Sequence, residues 1–355
     1  KISQLKKEAI RTIERECNPQ VYFTEKIKLL ERQTPATKIE FPFVSILSNE
    51  KRSIADNNDA GNKLLSIVVP YYNMSKYIAE TITSIDACNY KDKEIIIVND
   101  GSNKEESLLL SSLFKSRKDI RIIEQQNSGL AATRNRGARE AKGSFLAFLD
   151  ADDKIAQDYY QKAIDILIAK ENVHFVGSWV QYFGDSDGKW PAFNPEPPLL
   201  LYHNMANSSG LVYKKESFLN AGLNDPKFIY GMEDYDSVIN LLENGYRGVV
   251  IPEFLFFYRV RKDSMARGFN KSNTLYLYQL LAEKHKSFYA TFAAGLSGLL
   301  NANGPGIFLD NPSLDLNLAG KLPFGGAFSA KIISLIKRNR YARAFAYKIY
   351  RLVKK

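Results

Sequence analysis

The sequence predicts an α/β protein built on a mostly parallel sheet flanked by helices. Between residues 63 and about 265, short β-branched runs alternate with helical patterns, the arrangement that produces a parallel sheet with helices on both faces. Runs such as Ile95-Ile96-Ile97-Val98 are apolar without interruption, as strands buried on both faces require. At 45% hydrophobic and 25% charged, the chain is globular rather than disordered or collagenous. Its 355 residues suit one large domain with appendages, or two domains.

The elements follow in order. In residues 1–62, Ile2, Leu5, Ala9, Ile10 and Ile13 recur at helical spacing, and a second short helix is expected over 25–32. Pro35, Pro42 and the polar 49–62 stretch then read as linker. Strands are expected at 64–69, 94–98, 120–123 and 145–149, with helices between them at 78–87, 105–115 and 130–141. Beyond Asp153 the pattern loosens. A helix near 157–170, strands near 173–182 and 208–213, a helix near 233–243 and a short strand at 248–251 are expected. Residues 266–355 read as mostly helical, with a Gly/Pro-rich loop around 301–312.

Charge and cysteine content exclude several function classes. The formal net charge is +10, but Lys331, Lys337, Arg338, Arg340, Arg343, Lys348, Arg351, Lys354 and Lys355 supply nine positive charges, and no acid follows Asp315. The body before residue 331 therefore carries about +1. On a helical wheel of 341–355, Tyr341, Phe345, Ile349, Leu352 and Val353 fall opposite Arg343, Lys348, Arg351, Lys354 and Lys355. Such a helix suits an anionic membrane surface; docking on its own domain or on a partner protein are the alternatives. Nucleic-acid binding lacks a recognisable module. The two cysteines, Cys17 and Cys88, exclude a disulfide scaffold or a cysteine zinc site and make the cytoplasm the default location. No apolar run reaches the roughly 18 residues that span a bilayer. There is no secretory signal, and the chain opens on Lys1, as expected of an excised or processed piece.

In open α/β sheets, ligands bind beyond the carboxyl ends of the strands. The first strand leads into Pro70-Tyr71-Tyr72-Asn73, the second into Asn99-Asp100-Gly101-Ser102 and the fourth into Asp150-Ala151-Asp152-Asp153. The third leads to Asn127-Ser128-Gly129-Leu130 and then Arg134-Asn135-Arg136-Gly137. Two carboxylate-bearing turns, one aromatic turn and a helix start with cations thus converge on one edge. Paired aspartates on a tight turn suit a divalent ion on a diphosphate, although a charged turn ending in a helix cap at Asp153 would look the same.

These stretches, with Gly231-Met232-Glu233-Asp234 and Tyr258-Arg259-Val260-Arg261-Lys262-Asp263-Ser264, occur in one order. In that order and spacing the chain resembles the family-2 inverting glycosyltransferases of the GT-A fold, whose sheet is Rossmann-like. The resemblance implies that Asp152 ligates Mg²⁺ or Mn²⁺ and that Asp150 holds the donor ribose or the same ion. It implies that Asp100 reads the nucleobase, although an Asp there could equally cap the next helix. Pro70 and Tyr72 would pack on the base, and Arg134 would contact base or phosphate. Asp234 matches the base that deprotonates the acceptor hydroxyl, favoured as carboxylate at a helix start, with Glu233 in support. Relatives often carry a histidine where this chain has Arg261, and a guanidinium can hold phosphate oxygens but cannot ligate a cation.

Less of the rest is legible. Glu80 could face the pocket or solvent. His174, His203 and His285 suit core or surface roles. Trp190, in the Gly/Pro-rich 183–201 loop, could stack on an acceptor sugar, as could Trp179 if it is not core. The Gln-x-x-Arg-Trp element and membrane helices of processive relatives are missing, so a soluble or peripheral enzyme is expected, either in the cytoplasm or on the inner face of the cytoplasmic membrane. Its partners would be a nucleotide-sugar donor, chiefly a UDP-sugar, and a glycan or lipid-linked acceptor of bacterial surface polysaccharide. The rivals are a sugar-nucleotidyltransferase, which would want a Gly-rich basic loop after the first strand, and a non-catalytic nucleotide-binding scaffold.

Overall fold

The computed structural model describes residues 40–43, 63–262, 264 and 271–303. The expected N-terminal helices, the 49–62 linker, Asp263, most of the 301–312 loop and the basic 341–355 helix lie outside these residues. The first half follows the alternation read from the sequence: β1 (Leu65–Tyr71), α1 (Ser75–Asp86), β2 (Lys93–Asp100), α2 (Lys104–Leu113), β3 (Ile120–Gln125), α3 (Leu130–Glu140) and β4 (Phe145–Phe148). In α1 the buried Ile78, Thr81, Ile82 and Ile85 recur at helical spacing. Asn103 caps α2 by accepting from the Glu106 amide at 2.9 Å.

The sheet order is β3-β2-β1-β4-β8-β6-β9-β5, with β7 paired to β6. It is parallel across β3, β2, β1 and β4 and mixed beyond: β8 (Val212–Lys214) runs antiparallel to β4 and to β6 (Phe175–Gly184). β5 (Lys154–Ile155) runs antiparallel to β9 (Gly248–Val260), and β7 (Gly188–Trp190) antiparallel to β6. The short strand expected at 248–251 is thus thirteen residues long. Its parallel register with β6 jumps from Ser178↔Ile251 to Trp179↔Phe254, so a bulge absorbs Pro252, which cannot donate to a ladder. Ser208–Gly210 forms a 3₁₀ turn before β8 rather than part of the expected strand.

Alternation along β1 and β2 divides the core. Leu65, Ile67 and Val69, with Ile95 and Ile97, join α1 and α4 (Tyr159–Ala169) on one face. Val68, Ile96 and Val98 join α3, α5 (Glu233–Glu243), α6 (Lys271–Lys284) and α7 (Lys286–Asn303) on the other. Gly137 lets α3 press onto β1, because a Cβ there would lie 2.2 Å from Val68 Cγ1. Within the expected N-terminal extension, Phe41 exchanges backbone hydrogen bonds with the Asn172 side chain at 2.7 and 2.9 Å, and Phe41 and Phe43 pack on the core.

Candidate active site

The carboxyl ends of β1, β2 and β4 carry the expected turns to one edge. Asn73 (φ 52°) ties the first to the second, since its amide donates to Ser102 Oγ at 3.0 Å and its Oδ1 accepts from the Asn103 amide at 3.0 Å. Pro70 is buried in β1, whereas Tyr72 stands 49% exposed with its ring available for stacking. Gly101 is required here: it sits at φ +68°, and a Cβ would meet the Asn127 amide nitrogen at 2.6 Å.

Asp100, for which the resemblance implies a contact with the nucleobase, is held from within the protein. It is 5% exposed; its Oδ1 accepts from Gln125 Nε2 at 2.7 Å and the Ser128 amide at 2.8 Å, and its Oδ2 accepts from the Gly129 amide at 2.9 Å. Nor does it cap the next helix, a place taken by Asn103. Asp100 shapes the loop that starts α3.

Arg134 is held from within the protein as well. It is buried on α3 with its side chain 2% exposed. Its Nη2 donates to Asp150 Oδ1 and its Nη1 to Glu233 Oε1, both at 2.7 Å. Burial works against its charge, but the fields of Asp150, Glu233 and Asp234 outweigh it and raise the guanidinium pKa. One cation therefore joins the Asp-x-Asp turn to the Glu-Asp helix. Burial and the adjacent Asp234 push Glu233 up to about 7, against the pull of Arg134.

The helix bearing that pair begins under strain. Gly231 has φ 114°, and Met232 at the N-cap position has φ 67°, ψ 9°, a left-handed conformation costly for a non-glycine residue and frequent at functional sites. Asp234 follows, partly exposed, with Oδ1 accepting from the Tyr235 amide at 2.8 Å. Behind it, Asn224 Nδ2 donates to the Glu233 carbonyl at 3.0 Å, and Asn224 exchanges hydrogen bonds with Asn135 at 2.7 and 2.9 Å.

A second set of ion pairs lines the outer side of the Asp-x-Asp turn. Arg261 Nε lies 2.7 Å from Asp152 Oδ2, both side chains 14% exposed; the contact is one of charge, the N–H not being aimed at the oxygen. Arg259 donates from its backbone to Asp153 Oδ1 and from Nε to the Asp152 carbonyl, each at 2.8 Å, and pairs with Glu80. Glu80 also meets Lys154 Nζ at 2.6 Å, so it stands half exposed between two cations rather than alone in solvent. The Tyr77 ring lies 4.9 Å from the Arg259 guanidinium and 5.3 Å from that of Arg261. Burial, with Asp150 nearby, pushes Asp152 up to about 6 against the pull of Arg261. Asp153, fully buried, is raised further by burial and by Asp152.

Asp150 and Asp152 thus offer carboxylate oxygens on one turn, each beside a guanidinium. Among the described residues no three His, Cys, Asp or Glu side chains gather as a metal cage. The donor set suits a divalent ion that brings most of its oxygen ligands with it as phosphate and water.

The chain matches the model of the Glycosyl transferase family 2 over residues 66–224. It is 33% identical to glycosyltransferase GlyA of Streptococcus pneumoniae over 124 residues, which cover 35% of this chain and 18% of that protein. It is 30% identical to an uncharacterized glycosyltransferase of Methanocaldococcus jannaschii over 235 residues, covering 63% of this chain and 80% of the relative. The chain belongs to glycosyl transferase family 2. The fold is shared with Staphylococcus aureus TarS in complex with UDP-GlcNAc, at TM-score 0.50 and 18% identity over 61% of this chain and 65% of that one. It is also shared with GalNAc-T7 in a structure containing UDP, GalNAc and Mn²⁺, at TM-score 0.50 and 19% identity over 63% and 48%.

Elsewhere in this glycosyltransferase the remaining candidates fall into place. Trp179 is core, its Nε1 donating to the Ala192 carbonyl at 2.9 Å. Trp190 sits partly buried on β7, opposite Val180. His174 accepts from the Arg247 amide at 3.1 Å, and burial pushes it down to about 3, a neutral core histidine. His203 is partly buried and lowered by burial. His285 is buried between Asp236 (3.0 Å) and Glu243 (2.7 Å), while Lys284 meets Asp236 at 2.6 Å, so α6 and α7 are fastened to the helix that carries Asp234. No helix among the described residues is long and apolar enough to cross a membrane. Sequence reading missed Arg259, Tyr77 and the Asn135–Asn224 pair. Only Arg259 left a signal: residues 259 and 261 lie two apart at a strand end, on one face.

Proposed function

We propose that this glycosyltransferase moves a sugar, with inversion at the anomeric carbon, from a nucleoside-diphosphate sugar to a hydroxyl of a glycan or lipid-linked acceptor in bacterial surface polysaccharide synthesis. The observation that carries the reading is the Arg134 bridge, which holds a donor-side carboxylate, Asp150, and an acceptor-side one, Glu233, at 2.7 Å from a single guanidinium. UDP in TarS and in GalNAc-T7 supports a UDP-sugar as donor.

In this reading Tyr72 stacks on the base, over a floor that includes Pro70 and the loop shaped by Asp100. Asp234 takes the acceptor hydroxyl proton as that oxygen bonds the anomeric carbon, and the electron pair of the breaking bond leaves with the nucleoside diphosphate. Glu233, fixed by Arg134, sets the direction of Asp234. Asp152, with Asp150 beside it, would hold Mg²⁺ or Mn²⁺, which neutralises charge on the leaving diphosphate. Trp190 is assigned to the acceptor side. The protein would work at the cytoplasmic face of the membrane, with residues 331–355 against anionic lipid. Co-sedimentation with anionic vesicles should lose strength when the chain ends at 330, and equal pelleting would reject that contact.

A panel of UDP- and GDP-sugars, with and without Mn²⁺, tests the chemistry in wild type, Asp152→Ala and Asp234→Asn. Wild type should turn over at least one donor. Asp234→Asn should keep donor affinity and lose a factor of about 10²–10⁴ in kcat. No binding of any nucleotide sugar by wild type, or full-rate transfer by Asp234→Asn, would overturn the reading.

A further inference from the structure

The turn that leads into Asp234 is held from behind by side chains of two other segments. Met232 enters α5 in a left-handed conformation, and no side chain caps the helix there. Such a backbone persists only where its surroundings over-determine it. Asn224 supplies that constraint at both ends of the segment 224–233. Its backbone amide donates to Asn135 Oδ1 at 2.9 Å, and its carbonyl accepts from Asn135 Nδ2 at 2.7 Å. Its own Nδ2 donates to the Glu233 carbonyl at 3.0 Å. The segment is thereby closed into a loop that starts at the Asn135 clamp and ends at Glu233, beside Asp234. Within it, the Phe228 amide donates to the Asp225 carbonyl at 3.1 Å and the Gly231 amide to the Phe228 carbonyl at 3.2 Å.

The same strip of chain is fastened further along α5. Ser237 Oγ donates to the Gly222 carbonyl, and Asn240 Nδ2 donates to the Ala221 carbonyl at 2.7 Å. Residues 233, 237 and 240 share one helix face, so 221–224 runs along α5 as a bracket. Asn135 is 6% exposed and Asn224 4%, and hydrogen bonds shut away from water are the stronger for it. Adjacent residues of α3 therefore reach Glu233 twice, Arg134 at its carboxylate and Asn135, through Asn224, at its carbonyl.

We propose that Asn135 and Asn224 are positioning residues for the transfer reaction: they hold the left-handed turn at Met232 and with it the direction in which α5 presents Asp234. The inference rests on the reading of Asp234 as the base and adds the groups that aim it. A base must lie within hydrogen-bond reach of the proton it removes, and a misplacement of about 1 Å costs about 10²-fold in rate. Without the Asn224 bond the first turn of α5 loses its hold at the Glu233 carbonyl, while Arg134 still grips the Glu233 carboxylate and Asp150. The donor side keeps its geometry and the base loses its aim.

The test follows hydrolysis, with Mn²⁺ present, of the UDP-sugar that wild type turns over fastest, water standing in for the acceptor hydroxyl. UDP affinity by titration calorimetry and melting temperature are measured beside it. The proteins are wild type, Asn224→Leu, Asn135→Ser, Asn240→Ala, Asp234→Asn and the Asn224→Leu/Asp234→Asn double variant. Asn224→Leu, close in shape and lacking the donor, should lower kcat by about 10–10²-fold. Its UDP affinity should stay within about twofold of wild type, the split expected of a group that acts on the base alone. Asn135→Ser loosens the same clamp from α3 and should behave alike, which carries the test should Asn224→Leu not fold. Asn240→Ala removes a hydrogen bond of the same bracket further from the helix start, and its kcat should stay within about twofold of wild type. With Asp234→Asn already in place, Asn224→Leu should cost nothing more, because a base that is absent cannot be misaimed. Losses that multiply in the double variant, a fall in kcat as large for Asn240→Ala, or full rates for Asn224→Leu and Asn135→Ser would overturn the positioning role and leave the base assignment standing. Full-rate hydrolysis by Asp234→Asn, or a wild type that hydrolyses no UDP-sugar, would instead remove the reading on which the proposal rests.

Discussion

The inner and outer arginines of the site use one kind of bond for two purposes. Arg134 and Arg261 each stand 2.7 Å from an aspartate of the same turn. Around Arg134 the protein excludes water and supplies a second carboxylate, so the cluster is a fixed joint between β4 and α5. A buried charge whose partner is removed costs far more than the pair contributes. Around Arg261 the chain leaves its strand, and both partners of its pair with Asp152 are 14% exposed rather than sealed. Burial and connectivity, rather than distance, separate a structural ion pair from a working one.

The largest effect that sharpens this contrast is at the joint. Arg134→Ala leaves Asp150 and Glu233 facing each other without their cation and should cost about 3–5 kcal/mol of stability, read as a lower urea midpoint with unchanged slope. A loss below about 1 kcal/mol, the range of exposed pairs, would make Arg134 no different in kind from a surface arginine.

A smaller effect is visible in pH dependence. Folded Glu233, pushed up from 4.5 to about 7 by burial and by Asp234, keeps its proton over a range in which the unfolded chain has lost it. This residue's contribution is therefore fully present below about pH 4.5 and is lost as pH rises through about 7. Glu233→Gln still accepts from Arg134 but cannot titrate, so its melting temperature should decline less steeply across that window. Parallel curves for the two proteins would show that Glu233 is not held protonated.

How much of this was legible in the sequence follows the same division. β1 to β4 are parallel, and β1, β2 and β4 carry short apolar runs whose following turns announce themselves, so Tyr72, Asp150 and Asp152 were placed at the strand ends where the structure has them. Asp234 was placed at the start of its helix for a similar reason. The partner of Arg134 was hidden, because Glu233 is 99 residues away and a helix-start arginine looks like any phosphate ligand. The contacts of Asp100 were hidden because its three donors come from β3 and the loop that follows, which no local pattern reveals. The length of β9 was lost at Pro252, where proline ends a predicted strand but a bulge lets the real one continue. The Arg259–Glu80 contact spans 179 residues and had no signal beyond strand periodicity.

The most direct test is a crystal structure of the protein with UDP and Mn²⁺ bound. The account predicts Mn²⁺ on Asp152 and Arg134 still bridging Asp150 and Glu233. Mn²⁺ bound away from Asp152, or Arg134 released from either carboxylate to meet the phosphate, would contradict it.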